Sequence, residues 1–76
     1  MNKTVKVIFF GLLAEQVGHK SIKIQSGKTL ADVIAEVGCA DIQPLLVAVN
    51  QELVKDFSLI LNDGDEVALM PPFSGG

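Results

Sequence analysis

The spacing of apolar residues predicts five strands, most of them short. Residues 4–10 are rich in β-branched and aromatic side chains that alternate between two faces of a strand. One face carries Val5, Val7 and Phe9, and the opposite face carries Lys6, Ile8 and Phe10. Four further strands are predicted, at residues 21–25, 45–50, 53–54 and 66–70. The second strand is expected to pair antiparallel with the first.

Two segments carry helical signals. Thr29 is a favourable N-cap, Asp32 follows three residues later, and Gly38 can end the helix. The apolar residues between these ends have the spacing of a helix that buries one face, and they are Leu30, Val33, Ile34 and Val37. A shorter helical turn is predicted at residues 12–17, closed by Gly18.

This order of elements in so short a chain predicts an α+β fold in which one main helix packs on a mixed sheet. We expect the β-grasp arrangement, whose first and last strands lie side by side and parallel at the centre of the sheet. Pro71 and Pro72 lack the N–H groups that a central strand requires. Residues 1–70 are therefore predicted to form the domain, and residues 71–76 a flexible, extended C-terminal tail.

Composition narrows the classes of partner. Nine acidic and six basic residues give a net charge of −3, and the chain has neither Trp nor Tyr, so nucleic acid is an unfavourable ligand. No apolar run approaches the ~20 residues of a membrane span, and the N-terminal segment lacks a cleavage site, so a cytoplasmic protein is expected. The 49% apolar content is high for 76 residues and indicates apolar surface left for a protein partner.

Internal catalytic signals are weak. The single cysteine, Cys39, is interpreted as a small buried side chain rather than a reactive thiol, and His19 as an exposed turn residue rather than a base. Asp63, Asp65 and Glu66 lie together, and a solvated turn explains them better than a cation site because calcium needs more ligands. Neither a metal site nor a catalytic side chain is predicted on this chain.

The tail is the strongest candidate for chemistry. Pro71 and Pro72 favour an extended backbone with little entropy to lose, and Phe73 and Ser74 lead to the side-chain-free Gly75 and Gly76. Such a thread could carry a terminal carboxyl group through a narrow channel, about 20 Å from the domain. A frayed terminus is the alternative, since Gly-Gly also occurs by chance.

The preceding residues distinguish these two interpretations. The run Asn-Asp-Gly-Asp-Glu-Val-Ala-Leu-Met-Pro-Pro-Phe-Ser-Gly-Gly at residues 62–76 resembles the small subunits of molybdopterin synthase, a family of ubiquitin-like sulfur carriers. The resemblance extends to residues 7–10 with Glu15 and to residues 47–51. It therefore covers the whole chain.

The resemblance implies a mechanism. An adenylyltransferase similar to ubiquitin-activating enzymes would use ATP to adenylate the Gly76 carboxylate, and a persulfide would then supply the sulfur of a thiocarboxylate. That group would donate sulfur to cyclic pyranopterin monophosphate inside the large subunit, which supplies the catalytic side chains. The expected assembly is a heterotetramer of two small and two large subunits, and no cofactor is expected on this chain.

Strand alternation predicts a docking surface on the sheet face opposite the main helix. If the first and last strands are neighbours, Ile8 and Phe10 share this face with Ala68 and Met70, and Phe73 could extend it. Coverage of this face by a loop is the alternative. For function, a thiamine-pathway carrier serving thiazole synthase, a ubiquitin-like modifier and a plain interaction domain remain open, although the Pro71-Pro72 pair argues against the first.

Overall fold

The computed structural model describes residues 3–42 and 45–71. Seven elements occur in these ranges: β1 (Thr4–Phe9), α1 (Leu12–Val17), β2 (Ser21–Gln25), α2 (Leu30–Glu36), β3 (Leu46–Val49), β4 (Glu52–Leu53) and β5 (Glu66–Met70). Their types and order agree with the sequence analysis.

The five strands form one mixed sheet in the order β2-β1-β5-β3-β4. β1 and β5 are parallel, in register from Lys6 beside Glu66 to Phe9 beside Leu69. β2 is antiparallel to β1, β3 is antiparallel to β5, and β4 is antiparallel to β3. The predicted parallel pair at the centre of the sheet is confirmed, so β5 ends between two neighbouring strands rather than at an edge.

The core lies between the inner face of the sheet and α2. The helix contributes Leu30, Val33 and Ile34, and its first turn is capped by the Thr29 hydroxyl, which accepts a hydrogen bond from the Asp32 N–H at 3.1 Å. Cys39 is only 1% exposed and packs in the same cluster. Burial raises the pKa of the Cys39 thiol, as expected for a small apolar filler.

Element boundaries differ from the predictions near two turns. Asn50 and Gln51 have φ of 52° and 72°, which makes them the two central residues of a tight turn between β3 and β4. This turn shifts the start of β4 to Glu52 and ends β3 at Val49. Phe10, predicted to close β1, lies outside the strand because its carbonyl accepts the Leu13 N–H and so belongs to the turn into α1.

One part of the core was not predicted from the pattern. The segment before β5 runs beside the start of α2, where Leu30 and Ala31 donate backbone hydrogen bonds to the carbonyls of Leu59 and Phe57. Leu61 follows in this segment and is fully buried. The segment has no strand or helix periodicity, so its packing role depends on tertiary contacts alone.

Candidate docking face and tail exit

The outer face of the sheet, opposite α2, carries a continuous row of apolar residues. The register places Ile8 of β1 beside Ala68 of β5, Ala68 beside Ala48 of β3, and Ala48 beside Leu53 of β4. Because side chains at directly paired positions point to the same face, these four side chains form one row across four strands. The row ends at Ser21 of β2.

A second apolar row follows towards the end of β5. Met70 pairs with Leu46 of β3, and the β1–β5 register continued by one residue places Phe10 beside Met70. Phe10 is 47% exposed, and Leu46 and Leu53 are 44% and 73% exposed. We call the two rows the outer-face patch, defined as Ile8, Phe10, Leu46, Ala48, Leu53, Ala68 and Met70.

The predicted docking residues are therefore brought together in part. Ile8, Phe10, Ala68 and Met70 lie in the outer-face patch, whereas Phe73 lies outside the described residues. Leu46, Ala48 and Leu53 were missed. Alternation within residues 45–50 carried the signal for the first two, but using it required the placement of β3 directly beside β5.

Charged residues border the outer-face patch on the side away from the end of β5. Lys23, Lys6 and Glu66 occupy the next row across β2, β1 and β5, where both lysines are exposed. An apolar centre with a charged margin is the usual composition of a protein interface. The outer face thus has the arrangement of a docking surface.

The acidic turn before β5 holds the strand in place. The Asp63 carboxylate accepts the Thr4 N–H at 3.0 Å, and the Asp65 carboxylate accepts the Asn62 N–H at 2.8 Å and the Asn50 side-chain amide at 3.0 Å. The Asn50 side-chain oxygen accepts the Glu66 N–H at 3.0 Å. These oxygens join β1, the β3–β4 turn and the start of β5, which supports the turn interpretation. No metal-binding group of three ligands occurs among residues 3–42 and 45–71.

The exit of the chain from β5 is fixed on one side by β1. The Phe10 N–H donates to the Leu69 carbonyl at 3.0 Å, and the next residue after the strand, Pro71, is half-buried. Pro72, Phe73, Ser74, Gly75 and Gly76 lie outside the described residues, so the predicted tail stays a prediction. Its starting point lies next to the outer-face patch, because Met70 belongs to both β5 and the patch.

An apolar groove lies on the other side of the sheet. It has a volume of about 710 Å³, borders α2, and is lined by apolar residues that include Ile34, Cys39, Ile42 and Phe57. Among the described residues that line it, Cys39 is the one with a titratable side chain, and no base neighbours its thiol. His19 is exposed in the connection between α1 and β2. The described ranges contain no helix that is both long and apolar enough to cross a membrane.

Comparison with known proteins agrees with this geometry. Residues 7–76 match the model of the ThiS family. The chain is 35% identical over 81 residues to the molybdopterin synthase sulfur carrier subunit of Escherichia coli (strain K12), and the match covers 95% of this chain and 99% of that protein. The resemblance inferred from the terminal motif is therefore confirmed over nearly the full length.

Two solved structures extend the comparison to the fold. SAMP1 from Haloferax volcanii superposes with a TM-score of 0.76 at 27% identity, over 96% of this chain and 99% of that one. A chain from the complex of subunits 1 and 2 of molybdopterin-converting factor from Helicobacter pylori 26695 superposes with a TM-score of 0.67 at 26% identity. The superposition covers 96% of this chain and 99% of the matched chain. These ubiquitin-like neighbours confirm the predicted β-grasp fold.

Proposed function

Because the chain belongs to the ThiS family, we propose that it is a sulfur carrier and serves as the small subunit of molybdopterin synthase. The full-length likeness to a protein of that name supports the assignment. The observation that carries the proposal furthest is the parallel β1–β5 pair. It brings the end of β5 to the middle of the sheet, directly beside the outer-face patch, so that a docked partner receives the tail.

The reacting group in this proposal is the carboxylate of Gly76. A carboxylate resists nucleophilic attack, so its oxygen first attacks the α-phosphorus of ATP and releases pyrophosphate, which leaves an acyl-adenylate. A persulfide sulfur then attacks the carbonyl carbon and expels AMP. A thiol cleaves the resulting S–S bond reductively and leaves the Gly76 thiocarboxylate. The carrier consumes ATP only through its adenylating partner and binds no cofactor of its own.

Two partners use the same surface in turn. A ubiquitin-activating-like adenylyltransferase docks on the outer-face patch to load the tail, and the large subunit docks there to receive it, in a heterotetramer of two small and two large subunits. The structural likeness to a chain solved as part of a two-subunit complex supports a large-subunit partner. Exposed Phe10, Leu46 and Leu53 supply the apolar area that such docking buries.

The division of labour follows from the chemistry. The tail residues from Pro71 to Gly75 thread the partner's channel, and the large subunit provides the side chains that catalyse sulfur transfer to cyclic pyranopterin monophosphate. In the described part of this chain, the acidic residues nearest to β5 accept structural hydrogen bonds. The chain acts in the cytoplasm as a non-catalytic carrier that presents its C-terminal tail to the partner.

Intact mass measurement tests the proposal. The chain is incubated with ATP, the adenylating partner, a persulfide source and a thiol reductant, and replacement of one terminal oxygen by sulfur is expected. A matched chain with one extra residue after Gly76 should remain unmodified, because its carboxylate no longer fits the adenylation site. Loading with full yield in the extended chain would contradict the role of Gly76.

A second candidate function is protein modification. It is favoured by the fold likeness to SAMP1, a small archaeal modifier protein. A modifier would form an isopeptide bond between Gly76 and a target lysine, which appears as a larger covalent product that resists thiols. A thiamine-pathway carrier would instead restore sulfur transfer with thiazole synthase. Product formation with the molybdopterin synthase large subunit distinguishes the proposed function from both.

A further inference from the structure

Pro71 ends the pairing of β5 with β1. In this parallel ladder, Lys6 donates to the carbonyl of Asp65 and Phe10 donates to the carbonyl of Leu69, both at 3.0 Å. The next bond in the series would run from residue 71 to the Phe10 carbonyl, but proline has no N–H to donate. The Phe10 carbonyl accepts the Leu13 N–H at 3.1 Å instead. The β1–β5 ladder therefore stops at the Leu69 carbonyl, and the Phe10 carbonyl belongs to the turn into α1.

Gly11 lies directly beside Pro71. The β1–β5 register continued by two residues places them opposite each other. A Cβ atom on Gly11 would lie 3.2 Å from Cγ of Pro71, closer than carbon atoms normally approach, and 3.8 Å from its Cδ, which is an ordinary contact distance. Gly11 also has φ of 57° and ψ of −136°, a backbone conformation that residues with a side chain rarely adopt. The proline ring therefore lies so close to residue 11 that a side chain there would require a shift of a few tenths of an ångström.

We propose that Gly11 is a positioning residue for the tail: its missing side chain seats the Pro71 ring against the β1–α1 junction and sets the direction in which the chain leaves the sheet. The inference rests on the proposed function, since direction matters only if the tail must enter a partner's active site. Gly11 touches no reacting atom. It acts through Pro71, which precedes the threading segment.

The geometry separates this role from docking. Gly11 is not a member of the outer-face patch, so its replacement removes no docking side chain. A methyl group at residue 11 would displace Pro71 by a few tenths of an ångström, which changes the direction in which the chain leaves β5. Misplacement of a reacting atom by about 1 Å can slow a reaction by roughly a hundredfold. A kcat effect with little change in KM is therefore expected.

The test compares Gly11→Ala with Gly18→Ala in the full chain. Gly18 also has a positive φ, 87°, but a Cβ there would meet nothing within 4 Å, so this variant introduces backbone strain without a contact to Pro71. Adenylation is followed by ATP–pyrophosphate exchange with the adenylating partner, at a temperature where each variant is folded. Gly11→Ala should lower kcat about five- to tenfold with KM nearly unchanged, and Gly18→Ala should leave both values near wild type.

The double variant Gly11→Ala/Pro71→Ala identifies the route of the effect. If Gly11 acts through the proline ring, adding Gly11→Ala to Pro71→Ala should change kcat by less than about twofold. An undiminished effect of Gly11→Ala in the Pro71→Ala background, or wild-type kcat in Gly11→Ala, would overturn the inference. Should Gly11→Ala not fold, Pro71→Ala alone decides, since an unchanged kcat there shows that the contact does not position the tail.

A second readout is independent of sulfur chemistry. Amide NMR signals of residues 73–76 should shift in Gly11→Ala, shift less when the same change is made in Pro71→Ala, and stay in place in Gly18→Ala. If the wild-type chain is never adenylated, the proposed function is wrong. The NMR signals of residues 73–76 would still decide whether Gly11 positions the tail. Unmoved signals in both Gly11→Ala and Pro71→Ala would reject that role.

Discussion

The two faces of the central strands differ in what covers them. On the inner face, Val5, Val7, Val67 and Leu69 are fully buried beneath α2. On the outer face, Ile8, Ala68 and Met70 of the same strands are partly exposed, and Phe10 is 47% exposed. Adjacent residues therefore have different roles. The inner residues stabilise the domain, and the outer residues form a surface that can be changed with little loss of unfolding free energy.

Size also differs between the faces. The middle of the outer face carries two alanines, Ala48 and Ala68, while larger side chains surround them at Ile8, Leu46, Leu53 and Met70. The inner face carries valine, leucine and phenylalanine throughout its central strands. Ala48 is nearly buried among these larger neighbours and Ala68 is partly exposed, so the exposed apolar area of the outer face lies mostly on the larger side chains, whereas the inner face is covered by α2. The outer face is thus suited to an intermittent contact.

The sharpest test of this comparison substitutes neighbours on β5. Leu69→Ala should lower the free energy of unfolding by about 3 kcal/mol, because Leu69 is fully buried and its removal leaves a cavity. Met70→Ala, one residue along and on the outer face, should cost under about 1 kcal/mol. Urea unfolding measures both. Equal losses of unfolding free energy in the two variants would show that the outer face contributes as much to stability as the inner face.

The converse test changes binding without changing the fold. Phe10→Asp should weaken complex formation with the large subunit by roughly 2 kcal/mol, about thirtyfold, because an apolar anchor becomes a charge at the interface. Gln25→Glu is the matched control: it adds one negative charge on the exposed outer side of β2, away from the outer-face patch. Calorimetric titration supplies the affinities, and undiminished binding by a folded Phe10→Asp variant would refute the docking surface.

Sequence periodicity predicted the two faces where the strands are long. The alternation of residues 4–10 assigned Val5, Val7 and Phe9 to the core correctly, because a half-buried strand leaves a period of two. The helical spacing of Leu30, Val33 and Ile34 was equally informative. Sequence patterns of this kind encode which side of an element meets the core.

Long-range placement was less accessible. Leu53 joins the outer-face patch only through its pairing with Ala48, and that pairing depends on the positive φ of Asn50 and Gln51. Asn is enriched at positive φ, but Gln is not, so the sequence indicates only half of this turn. Leu61 is buried although its own segment has no strand or helix periodicity. The contact of Gly11 with Pro71 joins residues sixty positions apart, and it follows from the β1–β5 register rather than from either local sequence. Tertiary contacts decide all three.

A change in the tail should affect neither face. Gly76→Ala should keep wild-type unfolding and wild-type affinity for the large subunit, yet slow adenylation and sulfur loading about tenfold, or roughly 1.4 kcal/mol. A Cβ beside the reacting carbonyl widens the thread and obstructs attack. Ser74→Ala is the control, since it removes a hydroxyl from the tail without adding a side chain near the carbonyl. Intact mass against time gives the loading rates, and unchanged loading in Gly76→Ala would end the steric argument.

A smaller effect is expected where α2 begins. The Thr29 hydroxyl accepts the Asp32 N–H, so Thr29→Ala should lower the free energy of unfolding by about 1 kcal/mol. Thr29→Ser retains the acceptor and should lose at most a few tenths of that. Because α2 covers only the inner face, binding by the outer-face patch should be the same in both variants. Thermal unfolding and binding measurements together check this. Weakened binding by a folded Thr29→Ala variant would contradict it, because a change on the inner face would then affect binding at the outer face.

The smallest expected effect is a pH dependence of the inner region. Burial raises the pKa of the Cys39 thiol above its ordinary value of 9.0, so alkaline solution ionises the thiol in unfolded chains before folded ones. The folded state then holds more protons, and stability falls as pH rises. From neutral pH to about pH 9, where about half of the unfolded thiols are ionised, wild type should lose at most roughly 0.4 kcal/mol more than Cys39→Ala. The cavity left by alanine lowers the free energy of unfolding by the same amount at both pH values. The difference between the two variants in slope against pH therefore reports the ionisation of the thiol. Parallel slopes in urea titrations across this range would mean that Cys39 ionises as readily in the folded core as in the unfolded chain, and that the inner face is open to water.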